Sequence, residues 1–296
     1  MEILRTVVVS DVHLGYQHAD AKAFDDFVDH LLLDKPDNLI LLGDIFDFWR
    51  RSDVDLLLES PTPGIVEKLL EFNLVYVRGN HDFSMLKFSN RFPQDPVFQV
   101  QTSAILRNQS SRFVMLHGYE LEVFVSLESI GIDAYEAFAE AMCHEGQTVG
   151  PFASGLYAVY SWVQGKLDST SAALIATVEE LPQVRLDYKI DDFAKSSSRT
   201  MPFGLKSGDV LVFGHTHRAF IDKASRTVNT GSWVMDKPDK QEHTYVEITD
   251  QSYDLKTWPV SHDVKARYAG LPSLPKPSRR PRTDFALKAA KSVLAA

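Results

Sequence analysis

Short runs rich in Val, Leu, Ile and Phe recur along the chain at residues 5–10, 38–42, 74–78, 112–116 and 209–213. Each gives way at once to Asp, Gly, Asn or His. Between the first three runs, "AFDDFVDHLLL" (23–33) and "GIVEKLLEF" (64–72) place apolar residues at i, i+3, i+4 and i+7. That spacing predicts amphipathic helices. Strands that are apolar throughout and alternate with helices predict a mostly parallel sheet, buried on both faces, in an α/β fold. Beyond residue 226, "TVNTGSWV", "HTYVEIT" and "YDLKTWPV" alternate more strictly and are separated by polar turns. They predict antiparallel strands completing a second sheet.

The rhythm breaks over residues 122–207, where "IDAYEAFAEAMCHE", "GLYAVYSWVQGKLD" and "SAALIATVEEL" carry helical patterns rich in Ala and aromatics. The division expected is therefore a core made of 1–121 and 208–262, a helical insertion at 122–207 and a tail at 263–296. An insertion between strands either packs on itself or caps a site, since specificity is commonly added at loop ends. The tail begins Pro-rich and carries eight Lys or Arg against two Asp. It reads as a solvated or docking extension, with contact to an anionic membrane surface as the alternative.

Composition narrows the classes. A chain of 296 residues that is 44 % hydrophobic can bury a sizeable core. A net charge of −9 argues against coating nucleic acid non-specifically. No apolar run approaches the length of a membrane span and no signal peptide is evident. The lone Cys143 points to a reducing compartment, so a cytoplasmic location is expected. Oligomeric state is not legible.

The chemistry lies at the ends of the apolar runs, where open α/β sheets bind ligands. The first run delivers Asp11 and His13, the second Asp44 and Asp47, and the third Asn80, His81 and Asp82. The fourth delivers His117 and the fifth His215 and His217, so five of the ten histidines fall at these ends. Any one pair could be an ordinary hydrogen-bonded turn; five clusters in series are not scatter. Imidazole and carboxylate without thiolate suit Mn²⁺, Fe or Zn²⁺ rather than Ca²⁺. Asp11, His13, Asp44, Asn80, His117, His215 and His217 exceed what one tetrahedral ion needs and suffice for two ions sharing a carboxylate. Paired ions a few Å apart polarise phosphoryl oxygens and generate hydroxide near neutral pH for displacement at phosphorus.

The order D-x-H, G-D-x-x-D, G-N-H-D, H-G, G-H-x-H resembles that of the calcineurin-like binuclear metallophosphoesterases, over residues 5 to about 235. The resemblance implies a double β-sheet sandwich flanked by helices, and two divalent ions, with Mn²⁺ favoured. It implies that Asp11, His13 and His217 hold one ion, that Asn80, His117 and His215 hold the other, and that Asp44 bridges them. His81 would hydrogen-bond the phosphate and assist the leaving oxygen, with Asp82 orienting it. Asp47 is a candidate outer partner or a helix cap.

"GDIFDFW", "NTGSWV" and the long insertion are similar to the UDP-2,3-diacylglucosamine hydrolases, which cleave the pyrophosphate of a nucleotide-linked lipid precursor. The chain departs from that branch at His81, where those enzymes typically carry Arg, and at "HGYE" in place of "HGD". The expected function is therefore hydrolysis of a phosphodiester or pyrophosphate in a small phosphate ester or a nucleotide-linked lipid or sugar. The insertion's Phe152, Leu156, Tyr157, Val159, Tyr160, Trp162 and Val163 would offer an apolar wall. Arg50 and Arg78, flanking the motif loops, are the candidates to neutralise a second phosphate, ahead of Arg51, Arg185, Lys189 and Arg199. The competing readings are a nuclease of the same superfamily, whose first motif also reads "DxHLGY", and a non-catalytic metal-binding scaffold.

Overall fold

Strand pleating sorts the apolar residues of this chain into three separate layers. The computed structural model describes residues 4–51, 56–57, 61–86, 100–126, 131–145, 182–235 and 243–259. Its strands are β1 (Thr6–Val9), β2 (Asn38–Leu42), β3 (Leu74–Val77), β4 (Val100–Gln101), β5 (Ala104–Arg107) and β6 (Arg112–Met115). Then follow β7 (Val210–Phe213), β8 (Phe220–Asp222), β9 (Thr227–Asn229), β10 (Thr244–Ile248) and β11 (Tyr253–Thr257). The helices are α1 (Ala21–Asp34), α2 (Thr62–Leu69), α3 (Tyr119–Ser126), α4 (Ile132–Glu145) and α5 (Pro182–Lys195).

One sheet has the order β11-β10-β1-β2-β3-β4 and the other β5-β6-β7-β9-β8. Strands β1 to β4 run parallel, and so do β6, β7 and β9. The sequence places all three late strands in the second sheet; only β9 lies there. β10 instead pairs antiparallel with β1, at Val8↔Val246, and β11 extends that edge. The reason is packing: Val246 and Ile248 share the layer between the sheets with Val8, Ile40 and Val77, opposite Phe113, Met115, Val212 and Val228. The alternate residues Val7, Val9, Leu39 and Leu41 face the other way, onto Phe24, Phe27, Val28 and Leu31 of α1. On the far side of the second sheet, Leu211 and Phe213 pack against Leu121 of α3 and Leu186 and Ile190 of α5. Each such aliphatic side chain contributes roughly 1.5–3 kcal/mol over leaving it exposed.

The first helical pattern is realised with one extra turn's worth of capping. Asp20 accepts from the Ala23 amide at 2.9 Å and Lys35 closes the helix in the left-handed region. Helices α3 and α5 have no counterpart in the sequence reading. The division drawn at 121/122 falls inside α3, and α5 belongs to the outer layer of the second sheet. The predicted helices at 155–168 and 171–181, the apolar wall at 152–163 and the tail at 263–296 lie outside the described residues. No helix among the described residues is long and apolar enough to cross a membrane.

Parallel pairing brings the carboxyl ends of β1, β2 and β3 to one edge of their sheet, and those of β6 and β7 to one edge of the other. Backbone bonds then stitch the loops together. The Asp11 and His13 amides donate to the carbonyls of Gly43 and Asp44 at 3.1 and 2.9 Å, and the Gly214 amide to that of His117 at 2.7 Å. The His215 amide donates to the Asp11 carboxylate at 3.0 Å, which joins the edge of one sheet to that of the other.

Candidate metal centre

Five of the residues at this edge hold a backbone conformation that L-residues seldom adopt. Asp11, His13, Asp44, His215 and His217 have φ of 54, 53, 54, 66 and 56°. Asp and His tolerate the left-handed region better than most, yet each such residue still costs on the order of 1 kcal/mol. These turns lie just beyond the buried strands, and the side chains they carry are brought together. Trp233 supports the first of them. Its ring is buried against Phe24 and Phe27, and its amide donates to the Asp11 carbonyl at 3.0 Å.

Three groups of potential ligand atoms result: Asp11, His13 and His217; His13, Asp44 and His81; and Asp44, His117 and His215, with the atoms of each group within 4.8 Å of one another. The groups share members and so form one continuous cluster. His13 Nε2 faces His217 Nε2 at 3.1 Å, and His217 Nε2 lies 3.3 Å from Asp11 Oδ1. His117 Nε2 lies 3.2 Å from Asp44 Oδ2.

The donor set fits divalent ions. Leu42's carbonyl accepts from Nδ1 of His117 at 2.8 Å, which leaves the Nε2 lone pair directed into the cluster, buried and without a hydrogen bond. Asn80 is buried at the end of β3 with its Oδ1 likewise unpaired. Buried polar atoms are rarely left so, and a cation is the partner both suit. The strand ends are shaped around these atoms: a Cβ on Gly79 would stand 2.1 Å from Asp44 Oδ1.

Electrostatics favour the ionised carboxylates of Asp11, Asp44 and Asp47. Burial opposes ionising Asp11, but His117 and His217 outweigh it and bring its carboxyl down to about 2. Burial likewise opposes ionising Asp44 and Asp47, and the neighbouring imidazoles hold both well below the usual carboxylate range. In turn burial opposes a charge on His117, yet Asp44 and Asp11 lift it to about 10. A proton held at Nε2 of His117 is what a bound ion would displace.

His81 lies at the lip of the cluster, its Nδ1 3.1 Å from Asp47 Oδ1 and its ring stacked on Trp49 at 4.1 Å. Asp82, expected to orient His81, is turned elsewhere. Its carboxylate accepts from the Ile45 amide, the Gly79 amide and the Tyr76 hydroxyl at 2.8, 2.7 and 2.6 Å. Asp82 thereby ties the loop after β2 to the loop after β3, and Asp47 holds the imidazole. Asp47 Oδ2 also lies 3.2 Å from Nδ1 of His13 and pairs with Arg50.

Arg50 remains partly exposed, its guanidinium 4.0 Å from the centre of the Tyr16 ring. Arg78 is engaged differently from the sequence expectation. Its side chain is buried over the Phe83 ring and pairs with Glu136 of α4, so it fastens that helix to the core. Arg199 is also structural, buried with its guanidinium on the Ala194 and Ser225 carbonyls. Sequence reasoning passed over Trp49 and Glu122. The latter lies buried between Leu121 and Val123, an acid inside an apolar stretch, and its Oε2 is 2.6 Å from His215 Nε2.

The family model for calcineurin-like phosphoesterases matches residues 4–219 of the chain. The chain belongs to that family. A UDP-2,3-diacylglucosamine hydrolase of Shewanella sp. (strain W3-18-1) is 23 % identical over 268 residues, covering 87 % of this chain and 98 % of the relative. The Shewanella oneidensis hydrolase of the same name is 25 % identical, covering 86 % and 98 %. Among solved structures, a phosphoesterase from E. coli aligns with a TM-score of 0.39 and 16 % identity, covering 86 % of this chain and all of that one. This phosphoesterase is accordingly a metal-dependent hydrolase of phosphoester or pyrophosphate bonds.

Proposed function

We propose that the phosphoesterase hydrolyses the pyrophosphate of a nucleotide-linked lipid precursor. In this reading Asp11, His13 and His217 would hold one divalent ion, Asn80, His117 and His215 would hold a second, and Asp44 would serve both. The observation that carries it is that the group of Asp11, His13 and His217 and the group of Asp44, His117 and His215 are linked by a third that contains both His13 and Asp44, which supports two neighbouring ion sites with Asp44 between them. Its support on the substrate side is the name of the Shewanella relatives, whose whole length the chain nearly spans. Mn²⁺ is the proposed ion, because a set of oxygen and imidazole donors without thiolate suits it.

Two ions bound there would supply Lewis acidity toward the phosphoryl oxygens and activation of the attacking water. The chain's own residues do the rest. His81 would donate toward the leaving oxygen, and Asp47 fixes the ring. Trp49 covers one face of that ring and limits its rotation. Arg50, anchored by Asp47 and Tyr16 yet partly exposed, would meet a second phosphate. Within residues 122–207, the insertion apart from α3 and α5 is proposed to supply the cap that selects the lipid. A cytoplasmic location accords with Cys143, which is buried and free of any disulfide.

The test is hydrolysis by the full chain after chelation and on return of Mn²⁺. The substrates are bis-p-nitrophenyl phosphate, UDP-diacylglucosamine, CDP-linked lipids, UDP-sugars, cyclic nucleotides and short DNA. Mn²⁺-dependent turnover strongest on UDP-diacylglucosamine is expected. Turnover without metal sinks the mechanism, and stronger activity on DNA sinks the substrate.

A further inference from the structure

The two imidazoles in the group of Asp44, His117 and His215 are held from outside by different means. Nδ1 of His117 is engaged by the Leu42 carbonyl at 2.8 Å, so Nε2 is the nitrogen free for an ion. For His215 the occupied nitrogen is Nε2, which lies 2.6 Å from Glu122 Oε2. The backbone of His215 is already fixed, with φ of 66° and its amide on the Asp11 carboxylate. Rotation of the ring is the freedom that remains, and the Glu122 carboxylate removes it.

We propose that Glu122 is a positioning residue of the second ion site. It accepts from Nε2–H of His215 and so commits Nδ1 of that ring to the ion. The inference rests on the reading of His215 as a ligand given above. A carboxylate on the far nitrogen of a metal-binding imidazole selects the tautomer, aims the ring and raises its basicity. Glu122 is well built for this. It is buried, it lies on α3 with its amide donating to the Gly118 carbonyl at 3.2 Å, and the Tyr135 hydroxyl of α4 lies 3.5 Å from the same oxygen. Because α3 starts directly after His117 and Gly118, one short segment positions both imidazoles of this group, His117 from within and His215 from across.

The experiment is Mn²⁺ titration of the chelated full chain by calorimetry, with the visible absorption of the Co²⁺-loaded chain as a spectroscopic readout. Thermal melts of the metal-free chain accompany both. The wild type is expected to bind two ions. Glu122→Leu should weaken the second by roughly 10–100-fold while leaving the first within about twofold, and should change the Co²⁺ bands of the second step alone. Glu122→Gln keeps a neutral acceptor in place and should weaken it by less than about tenfold. Unchanged second-site binding in Glu122→Leu overturns the proposal. So does equal weakening of both sites with a lowered metal-free melting temperature, which marks a merely structural residue. Glu122→Gln falling as far as Glu122→Leu means that the carboxylate binds the ion directly, and overturns it too. A wild type that binds fewer than two ions overturns the metal-centre reading itself, and this inference with it.

Discussion

Nδ1 of His81 lies 3.1 Å from Oδ1 of Asp47, a residue 34 positions earlier in the chain, and not against its neighbour Asp82. The other oxygen of Asp47 faces His13, so one carboxylate links a proposed metal ligand to the proposed acid.

That division of labour separates two substitutions that the motif alone would treat alike. Asp47→Asn should lower kcat by about 10²–10⁴-fold and weaken metal binding together, since it serves both His81 and His13. Asp82→Asn should act chiefly on folding. It disturbs three buried hydrogen bonds and should cost on the order of 1–3 kcal/mol in urea unfolding. His81→Ala should lose turnover while retaining its ions, read by elemental analysis alongside kinetics.

Ion binding should stabilise the fold measurably. Mn²⁺ at a hundred times its dissociation constant should add about 2.7 kcal/mol per site, seen as a rise in melting temperature. Asp44→Asn, which weakens the carboxylate common to two ligand groups, should lose most of that rise.

The cradle around Asp44 leaves no room for a methyl group. Gly79→Ala would drive a Cβ to 2.1 Å from the Asp44 carboxylate, among buried backbone that cannot yield. Expected is loss of metal binding with destabilisation of about 1–3 kcal/mol, the range for overpacking a packed interior. Gly64→Ala, in open space on α2, is the control and should be neutral or slightly stabilising in the same melts.

Arg78→Ala should loosen α4 rather than abolish phosphate binding. The Glu136 carboxylate would keep the Tyr119 hydroxyl, at 2.9 Å, and lose the guanidinium. Faster proteolysis within residues 132–145 at unchanged metal content would support this. A rise in KM confined to pyrophosphate substrates would restore the arginine's role at a second phosphate.

Asp191 on α5 gives a pH dependence of stability with a definite sign. It is buried beneath the loop carrying His215 and His217, where it accepts from the Thr216 hydroxyl at 3.0 Å. Burial pushes its carboxyl up to about 6, from an ordinary 3.8, against the opposing pull of Thr216 and Arg218. The folded chain therefore holds this proton more tightly than the unfolded one. The stability it contributes is full below the unfolded value and is lost as pH rises through about 6. Denaturant melts of Asp191→Asn should be flatter than wild type across that window.

By itself the sequence determined the parallel strand ends and the residues that sit on them. A buried strand is written as an uninterrupted apolar run, and the charged residue that ends it can only lie at the sheet's edge. The period of α1 was equally legible, because its apolar face is continuous from Phe24 to Leu31. Tertiary structure alone decided which sheet the late strands join, since β10 is chosen by the fit of Val246 and Ile248 between the sheets. It also decided that Asp47 and not Asp82 holds His81, that Arg78 binds Glu136, and that Glu122 reaches His215 across 93 positions. Local patterning fixes which side of an element a residue occupies; which partner meets it depends on how separate elements pack, and no spacing along the chain records that.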